Sequence, residues 1–350
     1  MTVLAWAARE ASAQTLGAGQ RGLTRIAIGS CANQNLPQPI WDTVLKHAPD
    51  LFIFGGDNVY GDVLNGVPVT DGERILDAIA QAYAKQAAVP GFIAVREKIP
   101  HLAVWDDHDY GRNDGGVEFS KKDGSQKLFA DFWKLKADDP RRTRPGVYHA
   151  QTFGPPGETT QIILLDTRYF RSPWKRADGP RVPGRGPYVP DADPSKSILG
   201  EAQWAWLEAQ LKVPADLRLI VSSIEVVADG NTYERWANLP LEQKRLFDLI
   251  ASTRANRVIF LSGDRHIGAL YRETGGTPYP LYEMTASGLT HSWENAPEQA
   301  SKRLGALYGG KHFGSVDIDW LGRVVTLSLI NLEGVPVRSH RIPFAEIERG

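Results

Sequence analysis

The 350 residues carry 40 Lys and Arg against 41 Asp and Glu, a formal net charge of -1, so no global field favours nucleic acid or an anionic membrane and an anionic substrate has to be drawn in locally. The longest apolar runs are strand-sized, which leaves no transmembrane helix, and the single cysteine, Cys31, excludes an internal disulfide. The length suits one large or two medium domains.

Residues 1–23 are Ala/Gly/Gln-rich without a clear period and read as a tail. The triplet Ala11-Ser-Ala13 is A-x-A-like, but Arg9 and Glu10 stand where an export signal needs an apolar core, so the tail fits either a clipped signal or an ordinary leader. A periplasmic or secreted location is expected on that ground, with the cytoplasm as the alternative. Arg25-Ile-Ala-Ile-Gly-Ser30 reads as a strand and 39–47 as a helix with Ile40, Val44 and Leu45 on one face. Leu51-Phe-Ile-Phe-Gly-Gly-Asp57 is a second strand, whose glycine pair lets the chain leave sharply into Asp57, Asn58, Tyr60 and Asp62. A helix is expected over 72–89, then a strand ending in His101-Leu-Ala-Val-Trp-Asp-Asp107-His108-Asp109.

From 111 to 145 the chain is polar except for an amphipathic segment with Leu128, Phe129, Phe132 and Trp133, read as an inserted helix lying over the site. Strands follow near 147–153 and 161–165, the second ending in Asp166-Thr-Arg168. The stretch 171–196 holds six prolines and six Lys or Arg, which marks it as a lid or substrate-facing loop. Next come a helix over 199–211, a strand over 217–223, a helix over 241–251 and a strand over 257–262 that runs into Gly263-Asp264-Arg265-His266. In the 199–211 helix, Trp204, Trp206, Leu207 and Leu211 form a core-packing stripe. The remainder is strand-rich, over 281–286, 315–320, 324–331 and 335–342. The expected architecture is a single α/β domain over 24–350, two sheets face to face with helices outside.

Three times a short apolar run ends in a burst of carboxylate and imidazole, around Asp57, Asp107 and Asp264, the pattern of an α/β sheet that gathers a metal site at the carboxyl ends of its strands. Asp57 alone could close an Asx-turn; beside Tyr60 and the other two clusters it reads as a metal-bridging carboxylate. A tyrosine ligand points to a ferric ion, on which phenolate is a good donor. Nothing in the chain forms a P-loop, since no Gly-Lys-Ser/Thr follows Gly55-Gly-Asp57.

Ser30-Cys31, Gly56-Asp57-x-x-Tyr60, Trp105-Asp-Asp-His-Asp109 and Ser262-Gly-Asp-x-His266 stand in this order, with Leu164-Leu-Asp-Thr-Arg168, Leu199-Gly-x-x-Gln-Trp204 and Ala286-Ser-Gly-Leu-Thr290 between and after them. Over roughly residues 25 to 330 this resembles the alkaline phosphatase D branch of the calcineurin-like metallophosphoesterases. The resemblance implies a four-layer α/β/β/α sandwich and hydrolysis of phosphate esters by a metal-bound hydroxide. It makes Cys31, Asp57, Tyr60 and His266 the ligands of Fe3+, with Asp57 bridging to a second metal held by Asp107 and Asp264. The carboxylates at 107 and 264 replace the usual Asn and His of the wider superfamily; an all-oxygen site suits Ca2+, Mg2+ or Mn2+ and disfavours zinc, with calcium the leading choice.

His108 takes the catalytic role by the same resemblance, touching the phosphate and protonating the leaving alkoxide; the alternative is a histidine held by Asp106 or Asp109. Arg168, Arg112 and Asn113 are candidate substrate-binding residues, Asn113 with a further option of an additional calcium, Asp62 assisting. Arg168 could instead pair with Asp166. Arg265 is expected in solvent, Glu225 is a weak candidate for a missing metal ligand, and His291 is read as structural or pocket-lining. Phosphomonoester hydrolysis is the leading reading. Phosphodiesterase or phospholipase D-like activity is the runner-up, and a silent metal-stabilised binding protein comes last. Relative to secreted members no N-terminal sandwich domain precedes the first catalytic strand here, which predicts a more open site.

Overall fold

Short runs of β-branched and aromatic residues alternate with amphipathic helical stretches along this chain, and the computed structural model shows how they stack. It describes residues 21–64, 67–69, 72, 74–180, 185–298 and 300–349; the leader with its Ala11-Ser-Ala13 triplet lies outside the described residues. In chain order the elements are β1 (Arg25–Gly29), α1 (Ile40–His47), β2 (Leu51–Gly55), β3 (Val63–Leu64), β4 (Val67–Pro68), α2 (Arg74–Ala87), α3 (Pro90–Lys98), β5 (His101–Val104), α4 (Asp107–Tyr110), α5 (Lys122–Phe132), β6 (His149–Phe153) and β7 (Thr160–Leu164). They continue as α6 (Gly200–Leu211), β8 (Leu217–Ser222), α7 (Pro240–Ser252), β9 (Val258–Ser262), β10 (Gly268–Glu273), β11 (Leu281–Ala286), β12 (His312–Asp319), β13 (Val324–Asn331) and β14 (Pro336–Pro343).

One six-stranded sheet runs β14-β13-β12-β1-β2-β5, the other β10-β11-β9-β8-β7-β6. In the first, β1, β2 and β5 are parallel, with Ile26 beside Leu51 and Phe52 beside His101, and the three C-terminal strands add on antiparallel. In the second, β11, β9, β8 and β7 are parallel and the edges β10 and β6 are antiparallel. The inner faces share one hydrophobic core that includes Ile26, Ile28, Ile53, Val221, Leu261, Met284 and Val316. Helices cover the outsides. Trp41 of α1 meets Phe52 of β2 and Phe92 of α3, and Phe247 of α7 meets Phe260 of β9. The α/β/β/α sandwich is therefore the fold.

Several expectations need correcting. Helix α3 was not anticipated: Pro90 looks like a stop for the preceding helix, yet as a first helical residue its missing N–H costs nothing, so it starts a new one. Strand β10 was also missed, because Gly268 to Tyr271 are all buried and show no alternation. Helix α5 does not lie over the site. Its Phe129 packs on Trp105, and Phe132 stacks on Tyr83 of α2, so it belongs to the outer helical layer. Residues 21–23, expected in the tail, are tied to the body: Gly22 N donates to Glu158 and Trp320 Nε1 donates to Leu23 O. Among the described residues no helix is long and apolar enough to cross a membrane.

Candidate metal centre

All the chemistry sits where parallel strands end. Ser30 and Cys31 follow β1, Asp57 to Tyr60 follow β2, Asp106 to Asp109 follow β5, Asp166 to Arg168 follow β7, Asp264 to His266 follow β9 and Thr290 with His291 follow β11. Leaving a strand and doubling back at once requires unusual backbone. Cys31, Asp57, Asp264 and His266 all have positive φ, 64°, 49°, 67° and 53°. Left-handed conformations of this kind cost about 1 kcal/mol or more in non-glycine residues and collect at functional sites. Two glycines allow the strand ends to close on one another. A Cβ on Gly56 would stand 2.7 Å from Asp106 Cβ, and one on Gly263 would stand 2.4 Å from Ser30 Oγ, across the two sheets.

Donor atoms of Cys31, Asp57 and His266 lie within 4.8 Å of one another, as do those of Asp57, Asp106, Asp107 and Asp264, so Asp57 belongs to both groups. Asp57 Oδ2 is 3.5 Å from both Cys31 Sγ and Tyr60 Oη, while its Oδ1 accepts from His108 N at 3.2 Å. Tyr60 Oη is 3.0 Å from His266 Nε2. The six residues expected to hold metal thus converge, joined by Asp106, whose place in the run Trp105-Asp-Asp-His was its only sequence signal.

The electrostatics fit a cation. Burial first, then the neighbouring carboxylates, push Asp57 and Asp264 well above the usual carboxylate range; burial and Asp57 do the same to the Cys31 thiol. Asp106 Oδ2 and Asp107 Oδ1 are buried with no hydrogen-bond partner. A crowd of buried oxygens short of donors is unfavourable unless a positive charge completes it, and the thiol, phenol and imidazole of Cys31, Tyr60 and His266 stand on one side of Asp57 with carboxylates on the other.

His108 Nδ1 is 2.6 Å from Asp62 Oδ1, so Asp62, and neither Asp106 nor Asp109, orients the ring. Burial alone would lower its pKa, but Asp107, Asp57 and Asp62 outweigh it and raise the imidazole well above its ordinary value. Asp109 instead builds the backbone, accepting from Asp106 N at 2.6 Å and Asn58 Nδ2 at 2.6 Å.

Arg168 departs from its expected substrate-binding role. It is fully buried, with Nε 2.5 Å from Asp106 Oδ1 and Nη1 at 2.7 and 2.8 Å from the two oxygens of Glu234. Asp166 takes only its backbone N–H. The guanidinium is spent on holding Asp106 in place. Glu234 had no sequence signal, because it enters from the loop after β8 with no motif around it. Arg112 and Asn113 are exposed on the loop after α4, where Asp114 N donates to Asp107 Oδ2 at 2.7 Å. The proline-rich loop is anchored there too, through Tyr188 Oη to Asp114 Oδ2 at 2.5 Å and Arg171 Nη2 to Asp114 O at 2.5 Å. Arg171 is fully buried, and Lys175, Arg176 and Arg185 remain as exposed cations of that loop.

Arg265 is not in solvent. It is 6% exposed, stacks over Tyr233 at 4.3 Å and points to Glu225, with Nε 3.8 Å from Oε2. Glu225 is bound by Asn231, Tyr271 and Thr285 and joins none of the metal-competent groups among the described residues.

Residues 26–305 match the family described as PhoD-like phosphatase. The chain belongs to the PhoD-like phosphatase family. No curated protein sequence matches it. Among solved structures, the chain is similar to "Structure of PhoD", with 15% identity and a TM-score of 0.71 over 93% of this chain and 70% of the other. It is also similar to the purple acid phosphatase PPD1 from yellow lupin (Lupinus luteus) seeds, with 11% identity and a TM-score of 0.61 over 93% of this chain and 55% of that one. The likeness to both is one of fold. With the family match and the acidic and histidine clusters, this PhoD-like chain is a metal-dependent phosphoester hydrolase.

Proposed function

We propose that this protein hydrolyses phosphate monoesters, with Fe3+ held by Cys31, Asp57, Tyr60 and His266 and Ca2+ held by Asp57, Asp107 and Asp264, Asp106 adding a further carboxylate. The observation that carries this reading is the shared position of Asp57 between a thiol, phenol and imidazole group and an all-carboxylate group. Cations held there would supply Lewis acidity, lowering the pKa of water and drawing charge from the phosphoryl oxygens. His108 does the proton work. With Nδ1–H fixed on Asp62, its Nε2 is the atom left to protonate a departing alkoxide. With cations beside Asp57 and Asp107, Asp62 would be the carboxylate left to favour the protonated ring. The exposed cations Lys175, Arg176 and Arg185, with Arg112 and Asn113 near Asp107, provide local attraction that the nearly neutral chain lacks.

The test compares a chromogenic phosphate monoester with its diester, using protein whose iron and calcium have been assayed and metal-stripped protein as the blank. Faster turnover of the monoester supports the proposal. Preference for the diester moves the assignment to a phosphodiesterase or phospholipase-like enzyme, and no turnover above the blank in fully metallated protein sinks the catalytic reading.

A further inference from the structure

Asp264 and His266 are assigned to different cations, and a single residue, Arg265, separates them. Arg265 N donates to Gly263 O at 2.8 Å, closing a three-residue turn on Asp264, whose φ is 67°, and His266 follows with a φ of 53°. A γ-turn with positive φ at its centre is the rare, strained form, and such backbone persists only where the surrounding structure holds it. One tie is a backbone hydrogen bond, from Gly263 N to Ser223 O at 3.0 Å. The side chain between the two ligands supplies another.

The guanidinium of Arg265 is packed against two residues of the loop after β8. Its Cζ is 4.3 Å from the centre of the Tyr233 ring, and its Nε is 3.8 Å from Glu225 Oε2. The stack is the stronger grip. Nε has no hydrogen-bond partner, and burial, then Glu298, push Glu225 up to about 8, so near neutral pH its carboxyl carries a proton and exerts little ionic pull. A planar guanidinium lying on a ring face away from water keeps its attraction. Tyr233 in turn meets the ring of Trp293 edge to face, with centroids 5.9 Å apart, and Trp293 N donates to His266 O at 2.6 Å. The segment that carries Trp293 runs along the metal pocket, His291 Nε2 standing 3.2 Å from His266 Nε2. Contacts from Arg265 through Tyr233 and Trp293 back to His266 thus close a circuit around the ligand turn.

We propose that Arg265 is a positioning residue that sets how tightly both metals are held: stacked on Tyr233, it clamps the turn that delivers Asp264 to one cation and His266 to the other. The inference rests on the reading of the pocket as a metal centre. Because one turn serves both ions, loosening it loosens both.

The test exposes holoenzyme of wild type, Tyr233→Phe, Tyr233→Leu, Arg265→Lys and Arg265→Met to a chelator and follows the loss of each ion by elemental analysis. Expected are an unchanged rate for Tyr233→Phe, which keeps the ring face, and release of both ions about 10- to 100-fold faster for Tyr233→Leu and Arg265→Met, the span typical when a residue supporting a metal ligand is lost. Arg265→Lys, charged but without a plane to stack, should follow Arg265→Met. The double variant Arg265→Met, Tyr233→Leu should release metal no faster than the more damaged single variant, since both changes cut the same contact. Melting of the metal-free proteins is the control: variants that melt earlier yet release their metals at the wild-type rate have lost packing alone, and that result overturns the proposal. Losses that multiply in the double variant overturn it as well. Should Arg265→Met fail to fold, the Tyr233 variants, made at a half-buried ring, decide by themselves. Wild type that retains no tight metal defeats the metal reading of the pocket and this inference with it. Wild type that holds its metals tightly but loses them as fast as Tyr233→Leu removes the clamp and leaves the metal reading standing.

Discussion

Two buried acidic groups flank the turn from Ser262 to Ile267, and they are resolved in opposite ways. On one side stand Asp57, Asp106, Asp107 and Asp264; on the other Glu225, Glu283 and Glu298. Glu283 accepts three backbone N–H groups, from Val226 at 2.8 Å, Val227 at 2.6 Å and Ala228 at 3.2 Å. Glu225 takes Asn231, Tyr271 and Thr285 with Arg265 beside it, and Glu298 takes Tyr271 at 2.6 Å with Arg303 at 3.4 Å. The glutamates have most of their donors inside the protein, Glu298 Oε2 alone being left without one. Of the aspartates only Asp106 meets a guanidinium, that of Arg168, and Asp106 Oδ2 and Asp107 Oδ1 are without a partner. Buried carboxylates alone do not identify a metal site; a shortfall of donors around them does.

Activity offers the largest way to break this contrast. His108→Ala is expected to lower kcat for an alkyl phosphate by about 10²- to 10⁴-fold, the span of lost general acid catalysis, and to lower it less for a nitrophenyl ester whose leaving group needs no proton. Equal losses on the two esters would remove the general-acid role from His108. Next comes Arg168→Gln, which leaves Asp106 and Glu234 buried without their shared cation. Urea unfolding of the metallated protein should show about 3–5 kcal/mol lost. A loss under about 1 kcal/mol would mean that metal, rather than Arg168, holds Asp106.

Acid sensitivity needs a baseline that neither acidic group owns. Burial lowers the pKa of His101 and of His312 from 6.5 to about 4 in the folded protein. As pH falls from 6.5, the unfolded chain takes up these protons first, so stability is fully present above about pH 6.5 and is lost on the way down to about pH 4. At about 1.4 kcal/mol per unit, each ring accounts for about 3 kcal/mol. The His101→Asn, His312→Asn double variant should therefore flatten the melting temperature between pH 6.5 and 4, and an unchanged slope would assign the acid loss elsewhere.

The smallest effect separates the two groups directly. Glu283→Gln should cost about 1–3 kcal/mol through its three backbone donors, by the same amount with and without chelator. Asp264→Asn should instead destabilise the metallated protein and stabilise the chelated one, since it removes one of the crowded charges. Melting curves of both variants in calcium and in chelator would expose any exchange of roles.

The strand-end bursts around Asp57, Asp107 and Asp264 were legible because the ligands follow apolar runs within a few residues, and local spacing is all that a sequence displays. The same holds for most of the elements and for the two-sheet sandwich, which the order of strands and helices implies. Glu234 was not legible, since it meets Arg168 only after the loop following β8 folds across the strand ends. Neither was the fate of Arg168: a strand-end arginine next to a phosphate site looks like an anion clamp until its carboxylate partners are seen. The approach of Arg265 to Glu225, 3.8 Å apart as an ion pair, was hidden in the same way.

The sequence by itself determined the kinds of donor and the strands that deliver them. Tertiary structure decided which of them converge, because Gly56 and Gly263 let the ends of two sheets approach and so bring Cys31, Asp57, Asp107, Asp264 and His266 to one place. It also decided which buried charges are already paired. Pairing depends on distances of a few ångströms between residues far apart in the chain, and a linear order of residues does not contain those distances.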